Sequence, residues 1–84
     1  MNKVLTCLYV PEIDKTYEIF LPLSKRIGEI IELLNASINE LSSDELKKSD
    51  TNTLYNRDTG RRYDKNEVLA NTDITNNTNL ILLS

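Results

Sequence analysis

The hydrophobic positions change period several times along the chain, and each change marks an element. Near the end, Leu80-Ile81-Leu82-Leu83 puts four aliphatic residues in a row. Such a run cannot alternate wet and dry, so it predicts a strand covered on both faces, although a buried helical turn has the same signature. Val4 to Val10, Val-Leu-Thr-Cys-Leu-Tyr-Val, has the same two-sided apolarity, so the two segments are expected as central neighbours in a sheet. Between them the pattern loosens. Pro11 to Lys15 reads as a turn, and Thr16 to Leu21 alternates, with Tyr17, Ile19 and Leu21 facing one way and Glu18 and Phe20 the other. A charged residue on that second face predicts an edge strand in an antiparallel hairpin with the first.

Pro22-Leu23-Ser24 ends the hairpin and opens a helix, with Ser24 as the expected N-cap. A capping box from Ser24 fails, because Ile27 stands where an acidic residue is needed. The helix rests instead on its stripe, Ile27, Ile30, Ile31, Leu34, Ile38 and Leu41, with Glu29, Glu32, Asn35 and Asn39 opposite. Burying each stripe residue is worth roughly 1.5–3 kcal/mol as an upper figure. Gly28 costs about 1 kcal/mol against Ala; close approach of the helix to the sheet is one reason to accept it, and simple tolerance is the other. Lys25 and Arg26 stand at the positive end of the dipole, against preference. Ser42 with Glu45 predicts one more short helical turn ending near Ser49.

Thr53 to Asn56 is then a third strand, Arg57 to Gly60 a tight turn, and Arg61 to Tyr63 a minimal fourth strand. Asp64 to Ile74 is irregular, pinned by Val68, Leu69 and Ile74, and Thr75 to Thr78 turns into the final strand. A final strand beside the first must run parallel to it, because a helical crossover intervenes. The expectation is one α+β domain over residues 1–84. It is a β-grasp arrangement in which a mixed sheet, order 2-1-5-3-4, carries one main helix on one face.

Composition removes several functions. The net charge of −3 and the scattering of the basic residues, with Lys47-Lys48 and Arg61-Arg62 only as isolated pairs, argue against nucleic-acid binding. One cysteine and no histidine leave no intrachain disulfide and no ordinary zinc ligand set. No cofactor is expected. No stretch has the length of a membrane span or the form of a signal peptide, so a cytoplasmic protein without membrane insertion is expected. Cys7 has no histidine to activate it, and Asp44-Glu45 is a lone acidic pair in a turn. The sequence assembles no catalytic group, and no enzyme is expected.

If the helix covers one face of the sheet, the other needs an occupant. Leu80 and Leu82 should point at the helix, leaving Ile81 and Leu83 outward; Tyr55 is outward if Leu54 is inward. The phase of the first strand is ambiguous. Thr6, its only polar mid-strand residue, favours Leu5, Cys7 and Tyr9 inward with Thr6 and Leu8 outward. Leu8, Tyr55, Ile81 and Leu83 then form an apolar patch suited to a protein partner or to self-association. The competing expectation is that the 64–78 loop covers this face.

From Leu54 onward the chain resembles the ubiquitin-like proteins, through the Thr59-Gly60 turn, Tyr63, Leu69, Ile74, Thr78, Leu80 and Leu82 at familiar spacing. The hairpin, Leu21-Pro22 leading into the helix, and the Ile27-to-Ile38 stripe extend the similarity to nearly the whole length. Within that superfamily it is most similar to the small YukD/EsaB-type bacterial proteins of type VII secretion systems. The shared features are its length, the lead Tyr17-Glu18-Ile19-Phe20-Leu21-Pro22 and an end on the last strand. The resemblance implies a cytoplasmic accessory or regulatory protein that docks on a secretion component; a stand-alone interaction module or homo-oligomer unrelated to secretion is the alternative. Ubiquitin and the sulfur carriers act through a Gly-Gly tail. Here the sequence reaches Ser84 without one, so conjugation and sulfur carriage are not expected.

Overall fold

Two strands far apart in sequence form the centre of the sheet. β1 (Lys3–Val10) and β4 (Thr78–Leu83) pair in parallel, with Leu8 beside Leu80 and Tyr9 beside Ile81. β2 (Lys15–Pro22) adds antiparallel to β1, and β3 (Thr53–Asn56) adds antiparallel to β4, giving the order β2-β1-β4-β3. One helix, α1 (Ile27–Leu41), covers one face. This computed structural model describes residues 2–41 and 52–83, apart from the side chains of Asn39 and Leu41. The expected turn from Ser42 to Ser49, the Lys47-Lys48 pair and the place of Leu41 in the stripe lie outside the described residues.

The architecture is the expected one, with one strand reduced. Arg61 to Tyr63 forms no full strand; a single bridge joins Tyr55 to Arg62, supported by Asn56 N–H donating to the Arg61 carbonyl at 2.8 Å and Tyr63 N–H to the Leu54 carbonyl at 3.0 Å. The Arg57–Gly60 turn is tied by Asn56, whose Oδ1 accepts the N–H groups of Asp58 and Thr59 at 2.9 and 3.1 Å. Gly60 takes φ of +76°, a conformation that favours glycine.

The helix begins two residues later than Ser24 as N-cap suggests. Its first residue is Ile27, so Glu29 stands in the third position, where its Oε1 accepts the Arg26 N–H at 3.2 Å. This is the backward half of a capping box, supplied without a serine. The next two N–H groups are satisfied from across the fold. Ile27 donates to the Glu67 carbonyl at 2.8 Å and Gly28 to the Lys65 carbonyl at 3.0 Å. Gly28 thus permits close approach to the 64–68 loop, not to the sheet: a Cβ there would stand 3.3 Å from the Lys65 oxygen. Arg26 and Lys25 offset their unfavourable dipole position through bonds. The Arg26 guanidinium donates to the Asn66 carbonyl at 2.7 Å, and Lys25 lies 3.9 Å from Glu29.

The core gathers the stripe residues Ile27, Ile30, Ile31, Leu34 and Ile38 with Leu54, Leu69, Ile74, Leu80 and Leu82. Asn35, expected on the wet side of the helix, is buried and accepts a 2.7 Å bond from Asn52 Nδ2. Tyr63 is also in the core, 1% exposed. Its hydroxyl donates to Asp73 at 2.6 Å and accepts from Asn56 Nδ2 at 3.2 Å. Burial, then the bond to Asp73, pushes its pKa up to about 12.

Candidate protein-binding face

The phase of β1 is opposite to the one that Thr6 suggests. Val4, Thr6, Leu8 and Val10 face the helix; Leu5, Cys7 and Tyr9 are half-buried on the other face. Leu8 is a core residue, 1% exposed, and leaves the patch. The Thr6 hydroxyl explains the inversion, because it donates to the Ile19 carbonyl at 3.0 Å and so satisfies its polar atom inside. Tyr9 has the stronger claim on the outside, since its hydroxyl reaches Asp14 Oδ1 at 2.9 Å. A one-residue change of phase moves every side chain of a strand to the other face.

The other three residues stand where expected. Leu54 is buried and Tyr55 is half-buried on the opposite side; Leu80 and Leu82 are buried, Ile81 is half-buried and Leu83 is 39% exposed. Register then lines them up. Ile81 has Tyr9 on one side and Tyr55 on the other, and Leu83 has Thr53 beside it. A row Tyr9–Ile81–Tyr55 therefore crosses the middle of the sheet, with Leu83 one step along β4. Tyr9 takes the position that Leu8 was expected to hold.

The row has a charged border. The Arg57 guanidinium carbon lies 4.8 Å from the Tyr9 ring centroid, a cation–π contact. Arg57 is held there by its N–H, which donates to the Asn79 carbonyl at 2.8 Å, and Asn79 Nδ2 donates to Asp58 at 3.2 Å. The Tyr9 pKa is raised, first by the bond to Asp14, then by desolvation and the Asp14 charge, with Arg57 opposing. Tyr9 is thus a protonated hydroxyl donor at physiological pH, fixed at both ends.

The first part of the 64–78 loop is committed to the start of α1, through the Lys65 and Glu67 carbonyls and the Leu69 N–H, which donates to the Lys25 carbonyl at 2.9 Å, and its last part bonds to Leu5, whose carbonyl accepts the Asn77 N–H at 2.7 Å. Cys7 lies on the same face as Tyr9, half-buried beside Asn79 and Glu18. Among the described residues, no group of three or more His, Cys, Asp or Glu side chains could hold a metal. No helix formed by them is long and apolar enough to cross a membrane.

No family model matches the sequence, and no curated protein matches it either. Solved structures do. A chain from a structure described as molecular mimicry of SUMO in DNA repair aligns with a TM-score of 0.80 at 10% identity, covering 100% of this chain and 94% of that one. A solution structure of an N-terminal ubiquitin-like domain aligns with a TM-score of 0.75 at 12% identity, covering 98% of this chain and 74% of that one. A chain of the MycP5-free ESX-5 inner membrane complex aligns with a TM-score of 0.72 at 15% identity; the match covers 99% of this chain and 21% of that one. Identities this low establish architecture. The chain has the ubiquitin-like β-grasp fold.

Proposed function

We propose that this protein is a ubiquitin-like accessory or regulatory module that docks a protein partner on its open sheet face, and that the partner is a cytoplasmic component of a type VII secretion system. The observation that carries the docking reading is the row Tyr9–Ile81–Tyr55 with Leu83 beyond it, on the face opposite the helix. Two tyrosines around an aliphatic centre are a composition typical of interface cores. A fixed Tyr9 hydroxyl and the Arg57 guanidinium supply a polar rim. The secretion assignment is supported by the YukD/EsaB-type resemblance and by the presence of this fold within a chain of the ESX-5 inner membrane complex. No catalytic step forms part of this reading.

The test is affinity capture from native cytoplasm and membranes, with wild type beside Leu83→Asp and Ile81→Asp. Leu83→Asp should retain the wild-type thermal transition, since Leu83 is already 39% exposed, and should lose the captured partner. Equal recovery with all three proteins would remove the face from consideration. Loss of a concentration-dependent dimer in the variants, with no other protein captured, would replace the secretion partner with self-association.

A further inference from the structure

We propose a second binding surface, separate from the open sheet face: the outer side of α1 docks an amphipathic helix of a partner protein that carries arginine or lysine on both flanks of an apolar ridge. The helical period shows what α1 presents. With Ile27, Ile30, Ile31, Leu34 and Ile38 turned to the core, the residues opposite them are Glu29, Leu33, Ala36 and Glu40, spaced i, i+4, i+7 and i+11. All four are exposed, Leu33 by 51%. The line they form runs about 17 Å along the helix. Its middle, where an outward face is ordinarily polar, is a leucine and an alanine; its ends are glutamates, and Glu32 stands beside it.

Charge identifies the occupant. α1 carries Glu29, Glu32 and Glu40 and no lysine or arginine, so this one element holds a formal charge of −3, equal to that of the whole chain. Glu29 is engaged, its Oε1 by the Arg26 N–H at 3.2 Å and its Oε2 by Lys25 at 3.9 Å. Glu32 and Glu40 pair with no cation among the described residues. Glu40 also stands in the last turn, beside the negative end of the helix dipole, where a carboxylate does not serve the fold. Next to Leu33, a depression of about 250 Å³ is walled by Lys25, Glu29 and Glu32. An arginine from a partner helix fits it with its stem on Leu33 and its guanidinium at Glu32. Ala36 leaves room for the partner's backbone, so the two axes can approach to the usual 8–10 Å or so. An extended strand finds no partner here, because the backbone N–H groups along a helix face are already bonded within it. A second copy of this chain is excluded by charge, since a two-fold contact through this face sets glutamate against glutamate.

The probe is a helical peptide with acetyl and amide ends, the heptad Leu-Ala-Gln-Leu-Arg-Ala-Arg repeated twice, beside a second version with Glu for every Arg. Both are titrated against the whole protein and followed by amide chemical shifts. The arginine peptide should shift Glu32, Leu33, Ala36 and Glu40, and the wild type should prefer it about fivefold over the glutamate one. Raising the salt from about 50 to about 500 mM should remove most of that preference. Leu33→Gln keeps a good helix former at an exposed position and should weaken binding about fivefold by losing the apolar contact. The double variant Glu32→Lys with Glu40→Lys should reverse the preference between the two peptides. Its thermal transition should be no lower than that of the wild type, because Glu40→Lys suits the dipole. The proposal is overturned if no shifts occur at about 1 mM peptide, or if they centre on Tyr9 and Tyr55 or on Phe20 instead. Equal binding of the two peptides, wild-type affinity in Leu33→Gln, or an unreversed preference in the double variant would overturn it as well. So would a destabilised double variant, which would give the glutamates a role in the fold.

Discussion

The two edges of the sheet are finished differently. Beyond β3 the chain turns back and covers the strand: the Tyr55–Arg62 bridge and the bonds from Asn56 and Tyr63 use its outward groups. Tyr63 then locks that return segment by placing its ring in the core and its hydroxyl between Asp73 and Asn56. Arg61 adds an outer layer, with its guanidinium 5.1 Å from the Tyr63 ring centroid, 3.2 Å from Glu67 and 3.4 Å from Asp73. Beyond β2 nothing among the described residues returns. Its protection is of another kind, a proline at one end and charged Lys15 and Glu18 along it, as exposed edges commonly carry. One edge is closed by tertiary structure and the other is left open, so stability should be concentrated at the first.

The largest way to break that contrast is Tyr63→Ala. Removing a buried aromatic ring should cost about 3–5 kcal/mol in urea unfolding, and the return segment should lose its protection. A cost below about 1 kcal/mol would mean that the backbone bonds alone close the edge. Tyr63→Phe isolates the hydroxyl and should cost about 1 kcal/mol at neutral pH. It also carries a pH signature. The folded pKa of Tyr63, about 12, lies above the ordinary 10.0. Stability from the protonated hydroxyl is therefore complete below pH 10, and declines between pH 10 and 12 as the unfolded chain ionises first. The variant should show a shallower alkaline loss over that window; identical slopes would show that the hydroxyl does not contribute. At the open edge, Phe20→Lys should change stability by no more than about 0.5 kcal/mol. A larger drop in its denaturant midpoint would show that Phe20 supports the fold.

Much of this arrangement was legible in the sequence, because the periods were distinct where one face is dry and the other wet. The β2 alternation fixed Tyr17, Ile19 and Leu21 inward, and the α1 stripe identified five described core residues. Leu80 with Leu82, and Leu54 against Tyr55, were assigned to the correct faces. β1 was not legible in phase. Both of its faces are apolar, so a single threonine had to decide, and threonine can hide its hydroxyl on a neighbouring carbonyl. Asn35 misled for the same reason, its amide being satisfied by Asn52. The helix start was misplaced because Ser24 is a good local cap, whereas the N–H groups of Ile27 and Gly28 are satisfied by carbonyls from some forty residues along the chain. No local pattern carries that information. Within the candidate face, Tyr55, Ile81 and Leu83 followed from the strand periods, and Tyr9 was missed only through the phase of β1.

The same distant carbonyls give the start of the helix a second property. The Ile27 and Gly28 amides are held by the 64–68 loop, and the Leu69 amide is held in return by Lys25. These three protons therefore share one opening event: when the loop lifts, all become exchangeable with solvent together. In a hydrogen-exchange experiment they should report a single free energy and respond as a set to substitutions in the loop. The first turn of α1 thus belongs to the same cooperative unit as a loop far away in sequence, and the boundary between helix and loop is not a boundary in stability.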